Sequence, residues 1–331
     1  MKTLASRIRS AQSILLSTHR QCDGDGLGAQ LALFHAFKAG GKDVHVVNVD
    51  ATPRKYRFLQ PDRWIQYFEK TPTLPDPIDL ALIFDTNDER LVEPLFSPLK
   101  KMAKLICFID HHPVLKQGPR PTKESWIDVT SASTGEMAYR MIKELGLPIN
   151  RDVARCLYTS ITFDTQLYRF VRNSPMSHRI AAEMMEHGID TEEIHRHLFG
   201  NQTVQKMAFL ARALGQIEYF SDGKLAVLRL KDADLFHYNL EPDDSRDVID
   251  MLMNIESLEA AALFREDDHN KYKISLRSKG KIEVLSVAEN IGGGGHVHAA
   301  GAFVEGDYET IKEQVVNELI SLLDQSPALR K

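Results

Sequence analysis

The sequence is poor in cysteine, in long apolar runs and in positive charge. Only 3 of its 331 residues are cysteines. None forms a CxxC pair, so neither a disulfide framework nor a zinc ribbon is expected. No apolar run reaches the roughly 18 residues of a membrane helix, and no apolar core of signal-peptide length precedes the first predicted strand. These absences favour a cytoplasmic protein with reduced thiols and no membrane contact.

The charge balance limits the partners of the chain. Its formal net charge at pH 7 is −5. Long nucleic acid is bound mainly by many Lys and Arg side chains that neutralise phosphates, so no long nucleic-acid partner is expected. A short or small anionic substrate fits better, with positive potential supplied locally by metal ions and a few placed basic residues.

The first part of the chain alternates short apolar runs with helical patterns, which is typical of βαβ units around a parallel sheet. Leu27, Leu31 and Phe34 recur at helical spacing and predict a helix over about 26–39. Further helices are predicted over 133–145, 150–163 and 175–187. The predicted strands are SILLSTH, VHVVNV, DLALIFD and KLICFID, which begin at Ser13, Val44, Asp79 and Lys104.

The second part of the chain changes character after a helical pattern over 191–214. It contains the strand-like segments QIEYF, KLAVLRL, AALFRE and YKISLRS, with helices near 244–255 and 308–323. We therefore predict an α/β first domain over 1–190, a helical linker over 191–215 and a smaller α+β domain over 216–331. The first domain has a parallel sheet with helices on both faces, and the active site is expected in the cleft between the two domains.

Acids and histidines follow the predicted strands at the point where each strand ends. In open parallel sheets, ligands bind at the carboxyl ends of the strands. Several carboxylates at one sheet edge would raise each other's pKa unless a cation lay among them. Oxygen and imidazole donors without thiolate suit Mn²⁺, Mg²⁺ or Fe²⁺, and two such ions could act together on a phosphoryl group. The candidate residues are His19, Asp23, Asp25, Asp85, Asp110, His111, His112 and Asp164.

A second signal is a run of four glycines near the carboxyl terminus. Its backbone N–H groups could wrap an oxyanion, and nearby basic side chains could complete the neutralisation, although a flexible turn is the alternative. The candidate substrate-binding residues here are Gly293, Gly294, Gly295 and His296, with Arg277, Ser278 and Lys279 upstream.

Four features of the sequence resemble the four motifs of the DHH phosphoesterase family. They are the spacing H-x-x-x-D-x-D, the isolated Asp85, the Asp-His-His triplet and Asp164. This resemblance implies that His19, Asp23 and Asp85 hold one metal ion. It also implies that Asp25, Asp85, His111 and Asp164 hold the other, with Mn²⁺ expected and Mg²⁺ or Fe²⁺ as alternatives. Asp110 would orient a ligand, and His112 would face the substrate phosphate. The glycine run resembles the substrate-binding loop of the DHH-associated carboxy-terminal domain.

Within that family the chain most resembles the bacterial oligoribonucleases that also dephosphorylate 3′-phosphoadenosine 5′-phosphate. The implied activity is hydrolysis of RNA fragments of two to five nucleotides, or of that bisphosphate, by a water activated by the two ions. An inorganic pyrophosphatase or exopolyphosphatase, a linear or cyclic dinucleotide phosphodiesterase and a non-catalytic nucleotide sensor remain alternatives. Gln166 departs from the family pattern, which has glycine there, and the oligomeric state stays open, a homodimer included.

Overall fold

The computed structural model describes residues 1–115, 118–200, 202–240 and 245–326. The chain divides into two compact units, Met1–Asn201 and Gln202–Lys331. No helix within the described ranges is long and apolar enough to cross a membrane.

The first unit is built on a parallel six-stranded sheet with the order β3-β2-β1-β4-β5-β6. The chain runs outward from β1 to β3, then returns to the other side of β1 and continues to β6. The point where the strand order reverses therefore lies between β1 and β4, which is where open α/β sheets bind their ligands. The strands are β1 (Ser13–Thr18), β2 (Asp43–Asn48), β3 (Ile65–Tyr67), β4 (Leu80–Phe84), β5 (Ile106–Asp110) and β6 (Trp126–Ile127).

Helices cover both faces of this sheet, as the sequence predicts. Strand residues alternate between the faces, so that Leu16 and Leu82 belong to one core while Leu15 and Ile83 belong to a second core, together with Phe96. The helices are α1 (Lys2–Ser10), α2 (Gly24–Ala39), α3 (Phe96–Met102), α4 (Thr134–Leu145), α5 (Arg151–Asp164), α6 (Met176–Glu186) and α7 (Thr191–Phe199).

The helix starts follow the capping residues in the sequence. Asp23, Ser133 and Asn150 each accept a hydrogen bond from a first-turn N–H group of α2, α4 and α5. Glu136 reaches back to the N–H of Ala132, at 3.0 Å, instead of that of Ser133. The Ser-x-x-Glu sequence from Ser133 to Glu136 therefore forms a capping box that closes one residue earlier than its usual form.

The second unit contains another six-stranded sheet, with the order β11-β12-β10-β9-β8-β7 and only the β8–β9 pair parallel. Helices pack on both of its faces. The strands are β7 (Glu218–Phe220), β8 (Leu225–Leu230), β9 (Ala260–Asp268), β10 (Lys271–Ser278), β11 (Gly294–His296) and β12 (Ala299–Glu305). The helices are α8 (Val204–Leu214), α9 (Asp232–His237), α10 (Arg246–Leu252), α11 (Leu285–Asn290) and α12 (Tyr308–Gln325).

The helical pattern over 191–214 consists of two separate helices. Ile194 and Leu198 of α7 belong to the core of the first unit, whereas Phe209 and Leu210 of α8 belong to a core of the second. Each of these two helices therefore contributes to the core of a different unit.

Candidate two-metal site

Three neighbouring central strands carry half of the candidate metal ligands at their carboxyl ends. His19 follows β1, Asp85 follows β4, and Asp110 is the last residue of β5 and leads into His111 and His112. Asp23 and Asp25 lie at the start of α2, while Asp164 is the last residue of α5. The switch point between β1 and β4 therefore brings together groups from four segments that are far apart in the sequence.

A first group of donors consists of His19, Asp23 and Asp85, whose nearest ligand atoms all lie within 4.8 Å of one another. The Nδ1–H of His19 donates to the carbonyl of Arg20 at 2.8 Å. With that proton on Nδ1, the lone pair of Nε2 faces Asp85 Oδ2 at 3.6 Å. This is the tautomer that a metal-binding imidazole requires.

A second group consists of Asp25, His111 and Asp164, again with ligand atoms within 4.8 Å. The Nδ1–H of His111 donates to the carbonyl of Ser131 at 3.2 Å, so Nε2 again presents its lone pair. That atom lies 3.5 Å from Asp25 Oδ2, 3.6 Å from Asp164 Oδ2 and 3.7 Å from Asp85 Oδ1. Two donors bonded to one ion at about 2.1 Å stand roughly 3 to 4 Å apart, so this donor set fits a divalent cation.

Asp85 lies between the two groups. Its Oδ2 faces His19 and its Oδ1 faces His111. The residue adopts a left-handed backbone conformation with φ 60°, uncommon for a residue other than glycine. Such a conformation persists only when surrounding contacts impose it, and it is more frequent at functional sites than elsewhere.

Asp25 is held by the amino terminus of α4 and by α5. It accepts hydrogen bonds from the N–H groups of Thr134, at 2.8 Å, and Gly135, at 3.0 Å, and from the hydroxyl of Ser160. The carboxylate therefore lies where exposed N–H groups and the helix dipole favour negative charge. A Cβ at Gly28 or at Gly135 would collide with Ser160, so these glycines permit the close packing of α2, α4 and α5 around Asp25.

Sequence reasoning did not find three of the residues that orient the candidate ligands. Thr134 Oγ1 donates to Asp85 at 2.9 Å, Ser160 donates to Asp25, and Asn87 Nδ2 donates to Asp110 at 2.6 Å. Thr134 follows Ser133, the residue that caps α4, so this segment both starts the helix and orients Asp85.

His112 differs from His111 in its contacts. Its Nδ1–H donates to Asp110 Oδ1 at 2.8 Å, and Asp110 also accepts from the backbone N–H of His112 at 3.2 Å. Asp110 therefore fixes the His112 ring through Nδ1, whereas His111 uses its own Nδ1 to donate to the carbonyl of Ser131. Asp85, Asp110 and His112 also form a compact donor group, so geometry alone permits His112 as a ligand.

The electrostatics reflect the crowding of carboxylates in a buried site. Burial raises the pKa of Asp25 to about 7, and burial together with neighbouring carboxylates raises the pKa of Asp85 and Asp164 well above the usual range. Burial lowers the pKa of His111 to about 3. Burial would also lower the pKa of His112, but the charge of Asp110 and its hydrogen bond raise it to about 9.

These shifts predict how the metal-free protein responds to pH. A carboxyl whose pKa rises on folding holds a proton that the unfolded chain releases, so stability falls as pH rises through that interval. For Asp25 the interval runs from 3.8 to about 7, and Asp85 and Asp164 act in the same direction. His111 acts oppositely, but three carboxyls outweigh one imidazole. We therefore expect the melting temperature in chelator to fall between about pH 5 and pH 7.

A cation should reverse this loss. With Mn²⁺ at about a hundredfold above its dissociation constant, each site contributes about 2.7 kcal/mol, which corresponds to roughly 5 to 10 °C for a domain of this size. The gain should be larger at pH 7 than at pH 5, because protonated carboxyls bind cations poorly. Differential scanning fluorimetry with and without chelator measures it. A melting temperature unaffected by Mn²⁺ at pH 7 would contradict a metal site among these residues.

In the second unit, the glycine run predicted as a loop enters a tight hairpin. Gly294 to His296 form β11, which pairs with β12 in the register Gly294 to Gly301 and His296 to Ala299. Left-handed φ values occur at Gly292 and Gly295, not at Gly294. A Cβ at Gly293 would collide with the carbonyl of Gly301, and one at Gly295 would lie 2.7 Å from the carbonyl of Ala299. The close approach of the two strands thus explains two of the glycines.

The candidate residues upstream of the glycine run lie at the end of β10, in the case of Arg277 and Ser278, and directly after it, in the case of Lys279. Arg277 Nε lies 3.5 Å from Asp250 Oδ1, and Ser278 Oγ donates to the carbonyl of Ile282 at 2.7 Å. Lys279 Nζ donates to the carbonyl oxygens of Ile255 and Glu256, at 2.5 and 3.1 Å. The contacts of Ser278 and Lys279 give both residues structural roles that the sequence pattern did not indicate.

The chain is similar to known proteins over most of its length. A family model described as the DHH family, N-terminal domain, matches residues 13–161, and one described as the DHHA1 domain matches residues 222–326. Bifunctional oligoribonuclease and PAP phosphatase NrnA of Thermus thermophilus is 28% identical over 96% of this chain and 94% of its own. The Bacillus subtilis protein of the same name is 25% identical over 92% and 93%.

One solved structure shares the fold over the full length of the chain. The crystal structure of an exopolyphosphatase-related protein from Bacteroides fragilis matches with a TM-score of 0.86, covering 100% of this chain and 98% of that one. The two sequences are 22% identical, so this likeness establishes the fold alone.

Proposed function

The chain belongs to the DHH family, whose N-terminal and DHHA1 domains it carries, and from this premise we propose that it hydrolyses short oligoribonucleotides and 3′-phosphoadenosine 5′-phosphate. The products would be 5′-mononucleotides from fragments of two to five nucleotides, and AMP from the bisphosphate. The observation that carries the proposal is the convergence of two donor groups that share Asp85. That arrangement supports two-metal phosphoester hydrolysis.

The residues divide between the two ions in a simple way. His19, Asp23 and Asp85 would hold one ion, and Asp25, Asp85, His111 and Asp164 the other. The donors are carboxylates and imidazoles without thiolate, for which we propose Mn²⁺. When bound, such a pair of ions polarises phosphoryl oxygens and lowers the pKa of water.

The protein groups around the ions then have distinct tasks. Ser160 and the amino terminus of α4 hold Asp25, while Thr134 holds Asp85. His112, fixed through Nδ1 by Asp110, would turn its Nε2 toward the substrate phosphate and stabilise charge that develops there. A preorganised donor of this kind needs no rearrangement during the reaction.

The relatives support the nucleotide substrates over the alternatives. Curated relatives named oligoribonuclease and PAP phosphatase align along most of this chain. The DHHA1 match over 222–326 includes the glycine hairpin that we propose as the nucleotide-binding element. A pyrophosphatase or exopolyphosphatase would use the same metal ligands but would have no use for a base-binding surface.

One rate comparison tests the proposal. Purified protein with Mn²⁺ is offered four kinds of substrate. They are end-labelled RNA of two to seven nucleotides, 3′-phosphoadenosine 5′-phosphate, the linear dinucleotide formed when a cyclic dinucleotide is opened, and inorganic pyrophosphate. We expect the highest kcat/KM on the shortest RNA or on the bisphosphate. A preference for pyrophosphate would replace this function by the alternative one, and no turnover of any phosphoester would favour a nucleotide sensor.

The glycine hairpin gives a separate prediction. His296→Ala should raise KM for a dinucleotide by about tenfold or more, the usual cost of losing a hydrogen bond to a charged group, and should leave metal content unchanged. Hydrolysis of bis-p-nitrophenyl phosphate should fall much less. His269→Ala, an exposed histidine between β9 and β10, is the matched control. An unchanged KM in His296→Ala would leave the hairpin with a structural role only.

A further inference from the structure

The segment after Asp164, residues 165–173, has an unusual backbone. We refer to it as the rim loop. Five of its residues other than glycine adopt left-handed conformations, with φ between 47° and 65°: Gln166, Leu167, Tyr168, Arg172 and Asn173. Each such residue costs free energy, and clusters of them persist only where surrounding contacts impose them. Gln166 is the position at which glycine would carry this conformation without cost.

Contacts on the inner side of the rim loop fix this conformation. The N–H of Leu167 donates to the carbonyl of Thr162 at 3.0 Å, and the N–H of Phe170 donates to the carbonyl of Thr165 at 2.9 Å. The hydroxyl of Tyr168 lies 2.9 Å from Thr162 Oγ1, and its ring stacks on that of His178. The rim loop is therefore shaped by several independent contacts and presents a defined outer surface.

The outer surface of the rim loop is apolar and basic. Phe170 is 53% exposed and Leu167 is 47% exposed. The guanidinium of Arg169 lies over the ring of Phe170, at 5.3 Å from its centre. The exposed ring and the guanidinium over it therefore offer an apolar face and a positive charge side by side.

Arg172 brings positive charge to the edge of the carboxylate cluster. Its Nη1 donates to the carbonyl of Val129 at 2.9 Å. Val129 lies between β6 and α4, two residues before Ser131, whose carbonyl accepts from His111. The guanidinium is thus fixed to the segment whose Ser131 holds His111 of the second donor group, in a chain whose net charge is negative.

We propose that Phe170 and Arg172 form a nucleotide subsite on the first unit. Phe170 would stack on one base of the substrate, and Arg172 would contact the phosphate of that nucleotide. Aromatic stacking accepts any base, and a guanidinium recognises a phosphate through paired N–H groups, so this subsite would select short nucleotides over pyrophosphate without selecting a sequence. The inference rests on the proposed function, because only a nucleotide substrate offers both groups.

The test removes the side chain and the base separately. Steady-state kinetics are measured on 5′-phosphorylated diadenylate and on two analogues, each lacking one of the two bases. Phe170→Ala should raise KM for diadenylate about tenfold, the usual order for losing a base–aromatic stack. With the analogue that lacks the base stacked on Phe170, the same substitution should leave KM unchanged, because no stacking contact remains to be lost. Phe236→Ala, which removes an 87% exposed ring in the second unit, is the matched control.

Arg172 is tested in the same assay. Arg172→Gln keeps an N–H group for Val129 but loses the charge, and it should raise KM about tenfold, with a smaller increase at high salt. Arg172→Lys should recover part of the loss. Metal content and melting temperature should match those of the wild type for all of these variants, which separates loss of the subsite from damage to the fold or the metal groups.

The outcomes distinguish this subsite from the proposed function. If the wild type hydrolyses diadenylate but Phe170→Ala has an unchanged KM, or an equal increase on both analogues, the stacking subsite is wrong while the proposed function stands. If Arg172→Gln leaves KM unchanged, the phosphate contact is wrong. A wild type without activity on any nucleotide would overturn both the function and the subsite.

Discussion

Asp85→Asn is expected to abolish phosphoester hydrolysis and to remove most of the bound metal. Asp85 faces His19 through one carboxylate oxygen, at 3.6 Å, and His111 through the other, at 3.7 Å, so its charge serves both donor groups. An amide cannot supply two anionic oxygens, and a two-ion clamp loses its function when one shared ligand is lost. We expect kcat to fall by on the order of a thousandfold or more. Elemental analysis of the purified variant measures the metal.

A stability measurement excludes unfolding as the cause of this loss. Burial and neighbouring carboxylates raise the pKa of Asp85 well above the usual range, so keeping this carboxyl in the folded, metal-free protein costs stability at neutral pH. In chelator at pH 7, Asp85→Asn should therefore melt at the same temperature as the wild type or higher. Asp43→Asn, an exposed carboxylate at the start of β2, is the matched control. Full metal content with full activity in Asp85→Asn would refute the metal assignment.

His112→Ala is expected to keep its metal and to lose about a hundredfold or more in kcat, the usual cost of removing a donor that acts on developing charge. The reason lies in its contacts, since Asp110 occupies Nδ1 and leaves only Nε2 for the substrate. Metal content decides between the two roles that geometry permits for this ring. Loss of metal would make His112 a ligand and would contradict the division between the two histidines.

A double variant tests whether Asp110 acts through His112. Asp110→Asn alone should lower kcat. The Asp110 carboxylate accepts hydrogen bonds from the Nδ1–H and the backbone N–H of His112, and a neutral amide accepts such bonds more weakly. Combined with His112→Ala, it should lower kcat little further, since the ring it positions is absent. Independent, multiplying losses would show that Asp110 has a role of its own.

The strands of the first sheet and the donors at their ends could be predicted because both depend on local sequence. Runs such as SILLST and LALIF are apolar on both faces, which is typical of a buried parallel strand, and polar residues follow at once. The short strands β3 and β6 were missed, since three and two residues give no periodic signal. The hairpin of β11 and β12 was missed because glycine has little intrinsic preference for a strand.

The orienting groups could not be predicted from sequence patterns. Ser160 lies 135 positions from Asp25 and Thr134 lies 49 from Asp85, and neither residue belongs to a recognisable motif with its partner. Their contacts exist because glycines let three helices pack closely at one point. The left-handed rim loop was equally hidden, since Gln166 is not a residue from which that conformation would be predicted.

By itself, therefore, the sequence determined the fold class, the family and the chemical type of the donor set. These depend on apolar periodicity and on the identity of the residues that end each strand, both of which are properties of short segments. Only the tertiary structure decided which groups orient Asp25 and Asp85, and which side chains the rim loop exposes. Those properties depend on how α2, α4 and α5 pack, and packing distances between segments more than a hundred residues apart leave no periodic trace in the sequence.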